Sequence, residues 1–280
     1  MAGVKDSVGG VPEVFDRLAV RSHRERAAGT VERVAPVLRE AAERLVGRLD
    51  DTTRRFTFAL DIGGRGSVAP LLAQRGITVV PADLSPRMAA RNGALAVAAD
   101  EEYLPFAAGT FDLVIASLSL HWANDLPGVL VQIRAVLKPY GLFLASLPVL
   151  GTLDPLRTAL AEAAAALGTE VAPRISPFPT LRDCAALLQR AGFALPVVDL
   201  DRISLAYQDP LAALYDLRAA GEANAIRLRD KRTPPRALFP QALAALPLQE
   251  RKITLEIAMA MLTGWAAPLP QRHPGREVPR

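Results

Sequence analysis

The chain has 280 residues, half of them apolar, which suffices to bury a full core as one large domain or one domain with additions. Its 33 basic and 29 acidic residues are spread along the chain rather than gathered in a groove, which argues against nucleic-acid binding. The single cysteine, Cys184, excludes an intramolecular disulfide and a cysteine-based zinc cluster, and no run of 18 apolar residues offers a membrane span.

The N-terminal "MAGVKDSVGGVPEVFDR" reads as neither a signal nor a transit peptide, so a cytoplasmic protein is expected. Residues 1–29 read as an N-terminal arm, with mixed charge and few apolar positions from residue 11. Over residues 30–50, Val31, Val34, Leu38, Ala41, Leu45 and Leu49 recur at helical spacing, which predicts an amphipathic helix. Strand and helix signals then alternate, implying an α/β fold, a parallel sheet with helices on both faces. "FTFALDI" (56–62) predicts a buried strand, and "SVAPLLAQRG" a helix ended by Gly76. "ITVVPADLS" (77–85) and "ALAVAAD" (94–100) predict the second and third strands. "FDLVIASLSL" (111–120) predicts the fourth, and "LPGVLVQIRAVLKPYG" a helix stopped at Pro139–Gly141. "LFLASLPV" (142–149) predicts the fifth. Helices follow in "TLDPLRTALAEAAAALG" and "LRDCAALLQRAGF", a later strand at 196–207, and a helical segment over 210–232. The Pro- and Arg-rich end, residues 266–280, is expected to be a disordered tail around His273.

Three acids stand at three successive strand ends. Asp61 precedes the turn Gly63-Gly64-Arg65-Gly66, whose amides open a helix and can face an anionic or polar ligand. Asp83, 22 residues on, ends the next strand, where an acid accepts ribose hydroxyls. Asp100 and Glu101 end the third, where an adenine would lie. Residues 64–69 also match the dinucleotide fingerprint G-x-G-x-x-G/A, so an NAD-dependent oxidoreductase is the competing reading. An Asp two residues before the first glycine suits an amino-bearing ligand instead, such as the methionine part of S-adenosylmethionine. No second nucleotide-binding βαβ half follows. S-adenosylmethionine is therefore the favoured cofactor.

"ALDIG-GRG", "ADLS", "ADEEYLPFAAGTFDLVIASLSLHWANDLPGVLVQIRAVLKPYGLFLAS" and "RISPF" resemble class I methyltransferases of the type-11 group. Within that group they are most similar to the mitochondrial complex I assembly factors that hydroxylate an arginine, with their α-proteobacterial relatives. The malonyl-carrier O-methyltransferases of biotin synthesis resemble the chain more distantly. The likeness spans residues 14–265 and includes "RAGF", "VVDLDRISLAY" and "LRAAGEANA". It implies a Rossmann-like fold over residues 30–265: a seven-stranded, mostly parallel sheet whose last strand inserts antiparallel, with helical insertions at about 150–190 and 208–250. It also implies an S-adenosylmethionine-dependent enzyme acting on a small molecule or a protein, with a respiratory complex I subunit among the candidates. A non-catalytic assembly protein with a decayed glycine loop is the alternative.

The departures lie in the loops. Arg65 interrupts the glycine turn. If one residue has been lost after Gly63, the favoured reading, Arg65 points away from the cofactor and its guanidinium is at least partly solvated; if none has been lost, its side chain enters the methionine pocket. Gly151 stands where relatives carry an acid, and Pro155 where they carry Glu. His121, at the end of the fourth strand, is the candidate catalytic base, with Trp122 lining the cofactor cavity. Asn124 and Asp125 are expected to cap the next helix, Thr180 a later one, and residues 174–178 to line the substrate entry. Arg227, Arg229, Lys231, Arg232 and Arg236 read as a solvated basic face, and Cys184 as a core residue. No metal site is expected, because the three histidines are far apart and supply no facial triad.

Overall fold

A computed structural model describes residues 13–169 and 172–267; the tail from residue 268, with His273, lies outside them. Helix α1 (Arg17–Ala27) starts at Asp16, whose side chain accepts from the Ala19 amide. After a 3-10 turn, α2 (Ala35–Gly47) carries the predicted amphipathic stripe, with Leu38, Ala41 and Leu45 buried. The alternating part follows: β1 (Phe58–Ile62), α3 (Val68–Gln74), β2 (Thr78–Asp83), α4 (Pro86–Ala90), β3 (Val97–Ala98), β4 (Phe111–Ser117), α5 (Leu126–Val136) and β5 (Leu137–Pro148). The remainder is α6 (Asp154–Ala166), α7 (Leu181–Arg190), β6 (Phe193–Tyr207), α8 (Pro210–Ala219), α9 (Leu238–Ala244), β7 (Leu248–Gln249) and β8 (Lys252–Ala266).

One sheet runs β3-β2-β1-β4-β5-β8-β6, with β7 pairing β8. The first five strands pair in parallel, and β8 lies antiparallel between β5 and β6. The α/β architecture is therefore the expected one, with the two-residue β7 raising the strand number to eight. Alternation along the strands divides the core. Leu60, Val114, Ala116 and Phe143 face Val129, Ile133, Cys184 and Leu188 of α5 and α7. Ala59, Leu113, Ile115 and Leu144 face Leu38, Leu45, Leu72 and Met88 of α2, α3 and α4. A sheet covered on both sides needs apolar residues at both parities, which is why "LVIA" and "LFLA" are unbroken. A third cluster joins α6, α8 and α9 to Ile253 and Leu255 of β8.

Several elements differ from the sequence expectation. The third strand, expected over 94–100, pairs only through Val97 and Ala98, so Asp100 and Glu101 sit in the turn beyond it. The helix expected over 210–232 stops at Ala219, because Gly221 turns the chain at φ +81. The N-terminal segment is helical over Arg17–Ala27, and from residue 13 it is part of the core: α1 packs across the end of the sheet, and Phe15 and Val20 are buried with Trp122, Ala225 and Ile226. Among the described residues no helix is long and apolar enough to cross a membrane.

Candidate functional site

The acids and glycines meet at the carboxyl end of the parallel strands. Asp61, on β1, is 1 % exposed, and its carboxylate faces the Gly64 and Ala69 backbone amides, with no side-chain partner among the described residues. Gly64 lies against it: a Cβ there would come within 2.5 Å of Asp61 Oδ2. Gly63, at φ +64, backs onto Ser119, where a Cβ would approach Ser119 Cβ to 2.6 Å. Burial, reinforced by the charge of Asp83, raises the Asp61 carboxyl to about 7. Asp83 is also raised by burial, against the pull of Arg24 and Arg65. Its Oδ1 accepts from the Ser85 amide at 2.8 Å.

Helix α1 covers this edge. Arg24 Nη1 lies 3.3 Å from Asp83 Oδ2, both side chains being buried. Arg17 reaches Asp100 Oδ1 at 2.5 Å and Glu101 Oε1 at 2.9 Å, and donates to the Trp122 carbonyl at 3.0 Å. Gly63, Asp83 and Glu101 line a cavity of about 10 Å³ closed by Val20 and Arg24, far smaller than a nucleoside. Sequence reasoning missed both arginines. Their only signal was the i, i+7 spacing of Arg17 and Arg24, which puts them on one helix face.

His121 and Trp122 follow β4 in a 3-10 turn and face a second, mainly apolar cavity of about 140 Å³. Their common partner is Glu222, from the turn after α8. Its Oε2 lies 2.7 Å from His121 Nε2 and accepts from Trp122 Nε1 at 2.7 Å, while Oε1 accepts from Arg65 at 2.7 Å. Burial opposes its ionisation, but the neighbouring His121, Arg65 and Arg24 outweigh it and hold Glu222 well below the usual carboxylate range. Phe178 packs 6.1 Å from the His121 ring, and Arg174, Ile175 and Ser176 line the same cavity, so the "RISPF" segment does form its wall.

Arg65 corrects an expectation. Its side chain is 1 % exposed rather than solvated. At φ +51 it turns inward, donating to the carbonyls of Leu118 at 2.7 Å and Ala220 at 3.1 Å besides Glu222. Burial first, and then Arg24, pull its pKa down; Glu222 opposes them.

The structure thus gathers Asp61, Gly63, Gly64, Asp83 and Glu101 at one edge, and His121 and Trp122 at the neighbouring cavity. Gly66 lies elsewhere, lining a groove between α2 and α3. Asp100 is tied to Arg17 and does not line the small cavity. Asp125 caps α5 through the Gly128 amide, whereas Asn124 is no cap: it clamps the Phe15 backbone through both amide atoms. Thr180 forms a capping box with Asp183 on α7. Arg229, partly buried, pairs with Asp16 at 2.9 Å, while Arg227, paired with Glu13, and Lys231, Arg232 and Arg236 are exposed. Most of the basic run is therefore a solvated face, from which the partly buried Arg229 fastens the N-terminal segment. Cys184 is buried, its thiol pushed up to about 11 by burial. Among the described residues no group of three or more His, Cys, Asp or Glu is placed to hold a metal ion.

The donor set fits S-adenosylmethionine: a buried carboxylate with no side-chain partner among the described residues beside a side-chain-free turn, with a second acid at the next strand end. Comparison with known proteins agrees. Residues 60–145 match the methyltransferase domain family. The chain is 37 % identical over 220 residues to the mitochondrial arginine-hydroxylase NDUFAF5 of Danio rerio, covering 75 % of this chain and 68 % of that one. It is 34 % identical over 248 residues to the malonyl-[acyl-carrier protein] O-methyltransferase of Methylovorus sp. (strain MP688), covering 82 % of each. The crystal structure of the YcgJ protein from Bacillus subtilis superposes with a TM-score of 0.54 at 15 % identity, over 81 % of this chain and all of that one, which shows the shared fold. The loop, the acids and these likenesses together place the chain in the S-adenosylmethionine-dependent methyltransferase superfamily, in the family that contains these arginine hydroxylases and malonyl-carrier O-methyltransferases.

Proposed function

We propose that the chain transfers a methyl group from S-adenosylmethionine to an acceptor seated in the cavity lined by His121, Ser176 and Phe178. The observation that carries this reading is the buried Asp61 carboxylate, set against Gly64 with no side-chain partner among the described residues and one strand from Asp83. Asp61 and the amides of Gly63 and Gly64 would hold the methionine end, Asp83 the ribose, and Glu101, with Asp100 behind it, the adenine side. Trp122 would form the partition with the acceptor cavity. When bound, S-adenosylmethionine supplies a methyl group on a sulfonium already activated for transfer, so the protein's contribution is chiefly positioning. The small cavity at Asp83 requires α1 to move outward as the nucleoside enters, releasing Arg24 and Arg17. His121 would serve as general base for the acceptor.

The acceptor is a small molecule or a protein side chain, and the protein works in the cytoplasm. A second reading, arginine hydroxylation in the assembly of a respiratory complex I, rests on the 37 % identity to the arginine hydroxylase. Calorimetry with S-adenosylhomocysteine tests the cofactor site common to both. Binding is expected, with Asp83→Ala weakening it by about 1–3 kcal/mol, the cost of leaving polar partners unpaired. Binding of NAD and not of S-adenosylhomocysteine overturns the reading.

A further inference from the structure

We propose that Glu222 is a positioning residue: its carboxylate, fastened by the N-terminal segment, fixes the His121 ring with Nε2 protonated and Nδ1 free to take a proton. This inference rests on reading the His121 cavity as the acceptor's site.

The hydrogen-bond inventory dictates the tautomer. An ionised carboxylate only accepts, so the nitrogen facing it must carry the hydrogen. Glu222 Oε2 lies 2.7 Å from His121 Nε2 and also receives the Trp122 indole N–H, while Oε1 receives Arg65. In the neutral imidazole Nδ1 then bears a lone pair and no proton. That nitrogen is buried and has no hydrogen-bond partner. A buried polar atom without a partner is costly and unusual in a packed protein, and it points to a group that arrives from outside. In this arrangement Nδ1 accepts the proton shed by an acceptor N–H or O–H, the ring becomes an imidazolium, and Glu222 carries the counter-charge.

Glu222 is held from behind. It lies three residues beyond α8, and a Cβ on the adjacent Gly221 would meet Ala27 Cβ and Arg24 Cδ at 3.4 Å, so this turn is pressed onto α1. The residues after it are stitched to the N-terminal segment: the Asp16 amide donates to the Ala225 carbonyl and the Arg227 amide to the Val14 carbonyl, each at 2.8 Å, and Arg229 pairs with Asp16. The same segment packs Phe15 edge-on against Trp122, 5.2 Å between ring centres. One of the two donors, Trp122, and the acceptor are therefore gripped by one piece of chain.

The test is nitrogen-15 NMR of the full-length protein labelled at its three histidines, read near neutral pH. The expected wild-type signature is one histidine with a far-downfield, carboxylate-bound Nε2–H and an unprotonated Nδ1, identified by its absence in His121→Asn. Glu222→Gln should lose the downfield proton and Glu222→Asp should keep it. A wild-type His121 protonated at Nδ1, or a Glu222→Gln spectrum that retains the signature with its circular dichroism intact, overturns the proposal. If Glu222→Gln does not fold, the wild-type tautomer and the Glu222→Asp spectrum decide. Calorimetry with S-adenosylhomocysteine on the same samples separates the two readings: the signature present without binding supports the dyad and removes the methyl-transfer reading, whereas binding without the signature does the reverse.

Discussion

Arg24 Nη1 stands 3.3 Å from Asp83 Oδ2, so a helix outside the sheet neutralises the acid best placed to hold a ribose. Removing one partner of a buried pair strands the other charge, at a cost of about 3–5 kcal/mol. Arg24→Ala should lower the melting temperature accordingly. It should also make S-adenosylhomocysteine more stabilising than in the wild type, since no ion pair must open before the ligand binds. Thermal denaturation with and without the ligand reads both effects. An unchanged melting temperature would show that Arg24 is not seated on Asp83.

Asp61 makes stability depend on pH. Its carboxyl titrates at about 7 in the folded chain against an ordinary value of 3.8. The native state therefore keeps a proton that the unfolded chain releases near pH 4. Stability is highest below that pH and declines as pH rises through about 7, by up to about 4 kcal/mol for a shift of this size. Asp61→Asn should flatten the dependence, leaving the variant the more stable protein at pH 8. Urea unfolding at pH 5 and pH 8 checks the sign; a wild type that gains stability over this interval contradicts it.

Two glycines separate necessity from habit. A Cβ on Gly64 would press into the Asp61 carboxylate, whereas one on Gly47, at the end of α2, meets nothing within 4 Å. Gly64→Ala should disrupt the turn and abolish S-adenosylhomocysteine binding. Gly47→Ala should leave binding intact and stabilise the helix by up to about 1 kcal/mol. Calorimetry and chemical denaturation of the pair suffice.

For Arg65 the structure reverses the simplest expectation. Glycine would relax the positive φ of 51°, worth about 1–2 kcal/mol. It would also strip Glu222 of a buried ionic partner, which costs more, about 3–5 kcal/mol. Arg65→Gly should therefore be net destabilising, by roughly 2 kcal/mol. A stabilised variant in denaturant unfolding would show that the Arg65–Glu222 pair contributes little.

The alternating half of the fold was legible because a doubly covered parallel sheet demands unbroken apolar strands, and "FALDI" and "FDLVIAS" supply them. The acids were legible too, since Asp61 and Asp83 close strands at regular spacing. What the sequence hid depends on contacts between distant residues. Glu222 joins His121 from 101 positions away, and Arg17 reaches Asp100 from 83. Glu222 lies in no periodic pattern, and the helical spacing of Arg17 with Arg24 does not tell an arginine bound for burial from a surface one. The third strand was overread because "ALAVAAD" is apolar without a pairing partner beyond Val97 and Ala98.

The position of β8 bears on how the chain is made. This strand, residues 252–266, sits between β5 and β6 and is the one strand that joins them. During synthesis the ribosome delivers β6 some forty-five residues before the strand it must pair with, since Tyr207 meets Ile253. Until then the apolar edge of β5 and the whole of β6 stay unpaired, open to association with other chains. Native closure has to wait for the far end of the polypeptide, which makes folding slow through its long-range pairing. A nascent chain halted before residue 252 would be a substrate for chaperones rather than a smaller working enzyme.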